Sequence, residues 1–186
     1  MGFIARALAR ISQNRPARVI ESGGAPYLYR IFLFRWRGWS CYLHHFVSPD
    51  AERWLHDHPF DGLSLVLTGG YLEERLAGLD WPALSTTTRR VRWCNWISAR
   101  SFHRIAAPRP NTWTLFLHGP KRKGWGFLEC MDDAVVYLNP YGNVGDEPWW
   151  ESAPTYGELL ARAEQASLQV SEVIRNTMND YRWSSE

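Results

Sequence analysis

The chain has 186 residues and a mass of 21.6 kDa, with 45% hydrophobic and 22% charged residues, which suits one domain with terminal extensions and excludes a disordered chain. Its formal net charge of +2 hides an asymmetry, because residues 1–45 carry seven Arg against one Glu while residues 129–186 carry eleven acids against three Arg. Interspersed acids argue against a nucleic-acid face, no apolar run reaches the roughly 18 residues of a membrane span, and Cys41, Cys94 and Cys130 form no CxxC pair, which argues against a disulfide framework and for a reducing, cytoplasmic setting.

Phe3, Ile4, Ala7, Leu8 and Ile11 recur at helical spacing, predicting a short amphipathic helix within an extension over residues 1–20. Arg6 and Arg10 interrupt the apolar stretch that a signal peptide would need. The apolar stripe is expected to dock on the rest of the chain, with a partner or an anionic membrane as alternatives.

A β-rich body is expected over residues 21–153. Glu21–Pro26 reads as a turn-rich connector, and Tyr27–Phe34 and Ser40–Val47 as a first hairpin. His44 and His45 are adjacent, so only one can face inward, as a hydrogen-bonded core or pocket-wall residue.

Trp54–Arg75 holds the main chemical signal. In an extended strand His56 and His58 share a face, opposite Leu55 and Asp57. Asp61-Gly62 predicts a two-residue hairpin turn into Leu63–Thr68, setting His58 opposite Leu65 and His56 opposite Leu67 on an interior face. Two buried imidazoles need partners for their ring nitrogens, and a divalent metal would serve both; structural or surface histidines are the alternative. Gly69-Gly70 permits a bend. Glu73, roughly 20 Å beyond His56 along a regular hairpin, is expected in a pocket or supporting role rather than as a ligand, with a plain surface glutamate as the alternative.

Leu76–Ser85 reads as a loop and Thr86–Trp96 as a basic strand. Ile97–Ala106, carrying His103, and Thr112–His118 are expected to form a second hairpin, the natural source of a third ligand. Phe127–Leu138 is the last strand material, and residues 139–153 are irregular and aromatic. A C-terminal helix and tail occupy 154–186. Thr155 and Glu158 form a capping box; Tyr156, Leu159, Leu160, Ala163, Ala166, Val170, Val173 and Ile174 make one stripe, and the tail after Arg175 is expected to fray.

Short strands punctuated by turns, an HxH before a strand ending in Gly, and a lone His some 45 residues later resemble the cupin superfamily over about residues 27–138. The stretches HDHPF, LTGGYLEE, FHRI and HGPKRKGWGF also resemble a group of small cupin-like proteins of bacterial and phage genomes. The resemblance implies an all-β fold, a cupin-type jelly roll (double-stranded β-helix) with a short N-terminal helix and a C-terminal helix. It implies a metal site of His56, His58 and His103. Gly62 or Leu63 stands where the family has a glutamate, which leaves a three-histidine set similar to that of cupins that oxidise small molecules with ferrous iron.

Three functions follow from this reading. The first is a non-haem Fe(II)-dependent oxygenase acting on a small-molecule substrate, with Tyr71, Glu73 and Arg104 as substrate-contact candidates and Arg90 or Arg92 as further anion-orienting groups. The second is a non-redox isomerase, hydrolase or sensor using Zn, Ni or Mn. The third is a metal-free binding or structural jelly roll. A homodimer is compatible with all three.

Overall fold

In a computed structural model, residues 2–183 are described apart from 23, 50–53, 81–82, 131–133 and 140–147, and the side chains of 80, 83 and 170–183 lie outside that description. The elements run α1 (Phe3–Ser12), β1 (Ala17–Ser22), β2 (Ala25–Trp36), β3 (Trp39–Phe46), β4 (Gly62–Thr68), β5 (Tyr71–Asp80), β6 (Ala83–Val91), β7 (Cys94–Ile97), β8 (His103–Pro108), β9 (Thr112–His118), β10 (Phe127–Cys130), β11 (Val135–Leu138) and α2 (Tyr156–Trp183). A 3-10 turn at Trp149–Glu151 precedes α2. No described helix is long and apolar enough to cross a membrane.

The fold is the expected all-β jelly roll with a helix at each end. One antiparallel sheet has the order β1-β2-β3-β9-β4-β7. The other contains β6-β5-β8, and His56 extends it: its N–H donates to the His103 carbonyl and its carbonyl accepts from the His103 N–H, both at 2.9 Å, while a bridge to Phe127 joins the β10–β11 pair. A cavity of about 570 Å³ draws its lining from both sheets.

Strand alternation divides the larger sheet into two environments. Tyr29, Ile31, Leu43 and Trp113 point away from the cavity and pack with Ala5 of α1 and Tyr156 of α2, with Leu159 and Leu160 against the same cluster. Arg30, Tyr42, His44, Phe116 and His118 point into the cavity. The two ends of the chain clasp on the outer side, where Ala17 N–H donates to the Pro154 carbonyl at 2.8 Å and Tyr156 N–H to the Arg15 carbonyl at 2.9 Å. The expected capping box is present, with Thr155 N–H donating to Glu158 Oε2 at 2.7 Å and Glu158 N–H to Thr155 Oγ1 at 3.2 Å.

Several local expectations are corrected. The predicted hairpin at Asp61-Gly62 does not form: Gly62 begins β4, which pairs with β7 and β9, and His56 lies in the other sheet. The register of His56 and His58 against Leu67 and Leu65 therefore does not exist. Gly62 serves close packing instead, since a Cβ there would stand 3.0 Å from the Phe116 ring. The expected loop over Leu76–Ser85 is, at residues 76–80 and 83–85, part of the paired strands β5 and β6. The segments carrying His103 and His118 do not pair with each other; β8 joins β5 and β9 joins β3 and β4. Residues 17–22 form an edge strand, with Glu21 and Ser22 inside it rather than in a connector. In α1 Ala5 and Ser12 are buried and Leu8 of the expected docking stripe packs with Ala9 against the same cluster, while Phe3, Ile4 and Ile11 of that stripe are exposed. Helix α2 continues past Arg175 to Trp183, and the expected packing of Val173 falls outside the described side chains.

Candidate metal centre

His56 and His58 lie on a short extended segment held at both edges. The intervening Asp57 is 2% exposed and faces the loop before β10, accepting from Gly126 N–H at 2.8 Å, from the Lys123 ammonium, and from the Tyr137 hydroxyl at 3.3 Å. Asp57 N–H in turn donates to the Gly126 carbonyl at 3.1 Å. Alternation then turns the two imidazoles to the opposite side, into the cavity. His103 arrives from the first position of β8, beside His56.

The three residues each offer one ring nitrogen, and these nitrogens lie within 4.8 Å of one another. His58 Nε2 and His103 Nε2 are 2.8 Å apart. Neighbouring donors on a six-coordinate first-row ion, each at about 2.1 Å from it, are about 3 Å apart, which is the spacing of the His58–His103 pair. Burial, followed by the charges of His103, His56 and Arg30, holds His58 well below the usual imidazole range, in the neutral form that a metal requires.

Glu73 fixes His103 from behind. It is fully buried, and His103 Nδ1 donates to its Oε1 at 2.6 Å. An ionised carboxylate only accepts, so Nδ1 carries the proton and Nε2 faces the cluster. Burial alone would raise the Glu73 carboxyl, but hydrogen bonds from His103, Arg75 and Asn95 hold it well below the usual carboxylate range. Its partners include Arg75 Nε at 3.0 Å, Arg89 Nε at 2.5 Å and Asn95 Nδ2 at 2.8 Å. Asn95 ties the set together, accepting on Oδ1 from Arg75 and Arg89 and donating to the Tyr71 hydroxyl at 3.1 Å. Sequence spacing set Glu73 far from His56; the bend at Gly69 and Gly70 carries β5 into the other sheet, where Glu73 sits beside β8.

The remaining sequence candidates divide by position. Tyr71 lines the cavity. Arg104 does not: Nε donates to Glu74 Oε2 at 2.7 Å, as alternation from His103 and Glu73 requires. Arg90 and Arg92 line a separate, smaller pocket beside Gly69 and Gly70. His44 lines the cavity and is held well below the usual range by burial and by the charges of Arg30, His118 and Arg18. His45 faces the other way, its ring 4.4 Å from that of Trp113 and its Nδ1 2.8 Å from the Tyr156 hydroxyl. His118 also lines the cavity, with Nδ1 donating to the Gly119 carbonyl at 2.7 Å. Sequence reading missed Arg75, Arg89 and Asn95 as supports of the histidines; the shared parity of Glu73 and Arg75 was the available signal.

No family model matches the chain, and no curated protein matches it. Solved structures with similar folds include a cupin-2 domain protein from Rhodospirillum rubrum, 15% identical, with a TM-score of 0.45 over 62% of this chain and 76% of that one. Another is hydroxypropylphosphonic acid epoxidase from S. wedmorenis, 11% identical, with a TM-score of 0.41 over 58% of this chain and 56% of that one. A third is the Streptomyces albus protein HEPD, solved with 2-hydroxyethylphosphonate and Fe(II) bound, 11% identical with a TM-score of 0.42, covering 56% of this chain and 24% of that one. The chain thus spans little more than half the length of the epoxidase.

Proposed function

We propose that this protein is a metal-dependent cupin in which His56, His58 and His103 hold one divalent ion, Fe(II) first, and that it oxidises a small molecule. The supporting observation is the convergence of three ring nitrogens within 4.8 Å in a cavity, with His103 oriented by a buried carboxylate. Iron comes from the resemblance to three-histidine cupins, and imidazole donors suit it. When bound, Fe(II) on three neutral nitrogens would supply open positions for O₂ and substrate and a one-electron redox couple. The residues of the chain do the rest. Glu73 keeps the proton of His103 on Nδ1, Asp57 keeps the HxH segment against the β10 loop, and Tyr71, Tyr42 and Phe116 wall a cavity of about 570 Å³, of small-molecule size. A cytoplasmic setting is part of the proposal, from the three free cysteines.

The test is metal content by elemental analysis of protein purified without added metal, and metal-dependent thermal shift, across single Ala variants of His45, His56, His58, His103 and His118. Loss at 56, 58 and 103 with retention at 45 and 118 is expected, together with aerobic oxygen consumption in iron-loaded protein given a substrate. Full metal in His103→Ala would overturn the site. Zinc, nickel or manganese in place of iron would move the protein to a non-redox role, and no metal at all would make it a binding or structural jelly roll.

A further inference from the structure

The terminal helices cover only part of the outer face of the larger sheet. Side chains at paired positions of adjacent strands share a face, so the register allows that face to be followed from strand to strand. Tyr42, Ser64, Phe116 and Ile97 line the cavity, so their chain neighbours Cys41, Leu63, Leu117 and Trp96 point outward. With Phe34 these form one row across five strands: Phe34 opposes Cys41, Cys41 opposes Leu117, Leu117 opposes Leu63, and Leu63 opposes Trp96. On one side of the row Trp36 opposes Trp39, and on the other Leu65 opposes Cys94.

This apolar band is open. Phe34, Trp36, Trp39 and Trp96 are between 41% and 64% exposed, and Leu65 is also exposed. The α1 segment borders the band, packing on β4 and, just past its end, donating from Arg15 Nη1 to the Leu33 carbonyl at 3.5 Å; it exposes Phe3, Ile4 and Ile11 as well. At roughly 200 Å² for a whole aromatic side chain, four rings about half exposed present about 400 Å². Leu63, Leu65, Leu117 and the exposed residues of α1 carry the total towards the roughly 800 Å² per partner of a standard interface. Apolar residues scattered singly need no explanation, but a contiguous patch of this size marks a contact surface.

The make-up of the band selects the partner. None of the outward positions named above is charged, so an acidic or basic partner finds nothing there to pair with. A two-fold axis sets a surface against its own copy, and an uncharged face is one that can meet itself without opposing like charges. Arg37 lies at the rim, in the β2–β3 turn, its guanidinium 4.9 Å from the Trp36 ring centroid. A polar rim around an aromatic and aliphatic centre is the ordinary anatomy of an interface. We propose that this protein is a homodimer joined face to face through the outer band of the larger sheet, with Trp36, Trp39 and Trp96 as its anchors and the two cavities behind the joined sheets.

Sedimentation equilibrium of the full chain tests this. A species of twice 21.6 kDa is expected, with a Kd of about 10 µM or below. Trp36→Glu and Trp96→Glu each place a charge in the band at an exposed position and weaken self-association by about tenfold or more. Thr87→Glu, exposed on β6 of the other sheet, leaves it unchanged. Alkylation of Cys94, which is exposed in the single chain, supplies a readout that needs no variant: it slows at protein concentrations where the dimer forms. If melting shows both Glu variants to be unfolded, the Cys94 rate decides. The proposal is overturned if the wild type sediments as a single chain at about 100 µM, tenfold above the expected Kd, if the folded Glu variants dimerise as the wild type does, or if Cys94 reacts equally fast at low and high concentration. Phosphatidylcholine vesicles probe the other occupant: a single chain that co-sediments with them, and no longer does so as Trp96→Glu, would make the band a lipid-facing surface and overturn the dimer.

Discussion

Replacing Glu73 by Gln removes one charge from the most heavily bonded side chain behind the histidines. The carboxylate accepts from His103, Asn95, Arg75 and Arg89, and an amide can keep one acceptor while presenting its NH₂ to donors that cannot accept. Each hydrogen bond to a charged group is worth about 1.5–3 kcal/mol. Water can partly replace the carboxylate at Arg75 and Arg89, whose side chains are 23% and 45% exposed, so the arginine share is discounted. His103, 3% exposed, has no such relief. The expected loss is about 2–4 kcal/mol, or roughly 5–15 °C in Tm for a domain of this size. Metal affinity, read by competition with a chelator, should fall about 10- to 100-fold because Nδ1 of His103 is no longer held by a charge. The sign with pH is set by the depressed carboxyl: its contribution is complete above the unfolded value of about 4.3 and fades as acid titrates the folded group. Wild type should therefore lose stability below about pH 4 more steeply than Glu73→Gln. A variant that melts within 2 °C of wild type, or one that stays folded with unchanged metal affinity, would refute the role assigned to this carboxylate.

His45 supplies a second pH-dependent element. Burial lowers it from 6.5 to about 4, so the unfolded chain takes up the proton first and stability falls as pH drops from about 6.5 to about 4, by up to about 3 kcal/mol. Urea melts at pH 7 and pH 5 should show a smaller pH effect in His45→Gln than in wild type, and equal effects would exclude it as a source. Asp57→Ala removes both acceptors and should release the Lys123 and Gly126 contacts, speeding hydrogen exchange at the Gly126 amide and weakening metal binding while the outer-face core stays intact. Unchanged exchange there would mean that Asp57 does not hold the loop. Gly69 has φ +83°, and a Cβ there would stand 2.8 Å from Thr112 Cα. Gly69→Ala should cost about 2 kcal/mol or more in denaturant melts, and no change would show that the bend between β4 and β5 tolerates a side chain.

How far the sequence could be read differs between local and distant features. Alternation correctly turned Asp57 away from His56 and His58, and the capping box at Thr155 marked the start of α2 within a residue. Pairing partners were not legible. Asp61-Gly62 has the composition of a tight turn, but Gly62 is not in the left-handed region and is there for closeness to Phe116. A sequence cannot distinguish a glycine needed for φ from one needed for space. At Gly69 and Gly70, both of positive φ, the chain leaves its sheet, which is the bend that a supporting role for Glu73 required, and Glu73 lies beside His103. Arg18 and Arg30 were visible only as part of a basic N-terminal third, because their approach to the cavity depends on β1–β2–β3 register that no local pattern encodes.

The larger sheet explains how a polar cavity and a stable domain can share one wall. His44 and His45 are neighbours in the chain, yet one fixes Arg30 inside the cavity and the other stacks on Trp113 beneath Tyr156. Arg30 and Ile31 divide in the same way, Ile31 being fully buried on the helix-covered face. Apolar stabilisation comes from both faces of this sheet: Tyr42 and Phe116 cluster with Phe60 and Ile97, and Tyr27 and Leu28 with Phe46, on the cavity side, while Tyr29, Ile31, Leu43 and Trp113 cluster on the other face. That outer cluster is closed by α1 and α2, the two ends of the chain, clasped by backbone bonds around Pro16 and Thr155. The two helices therefore complete the outer cluster, and the alternation of single residues along β2 and β3 is what keeps it apart from the cavity wall.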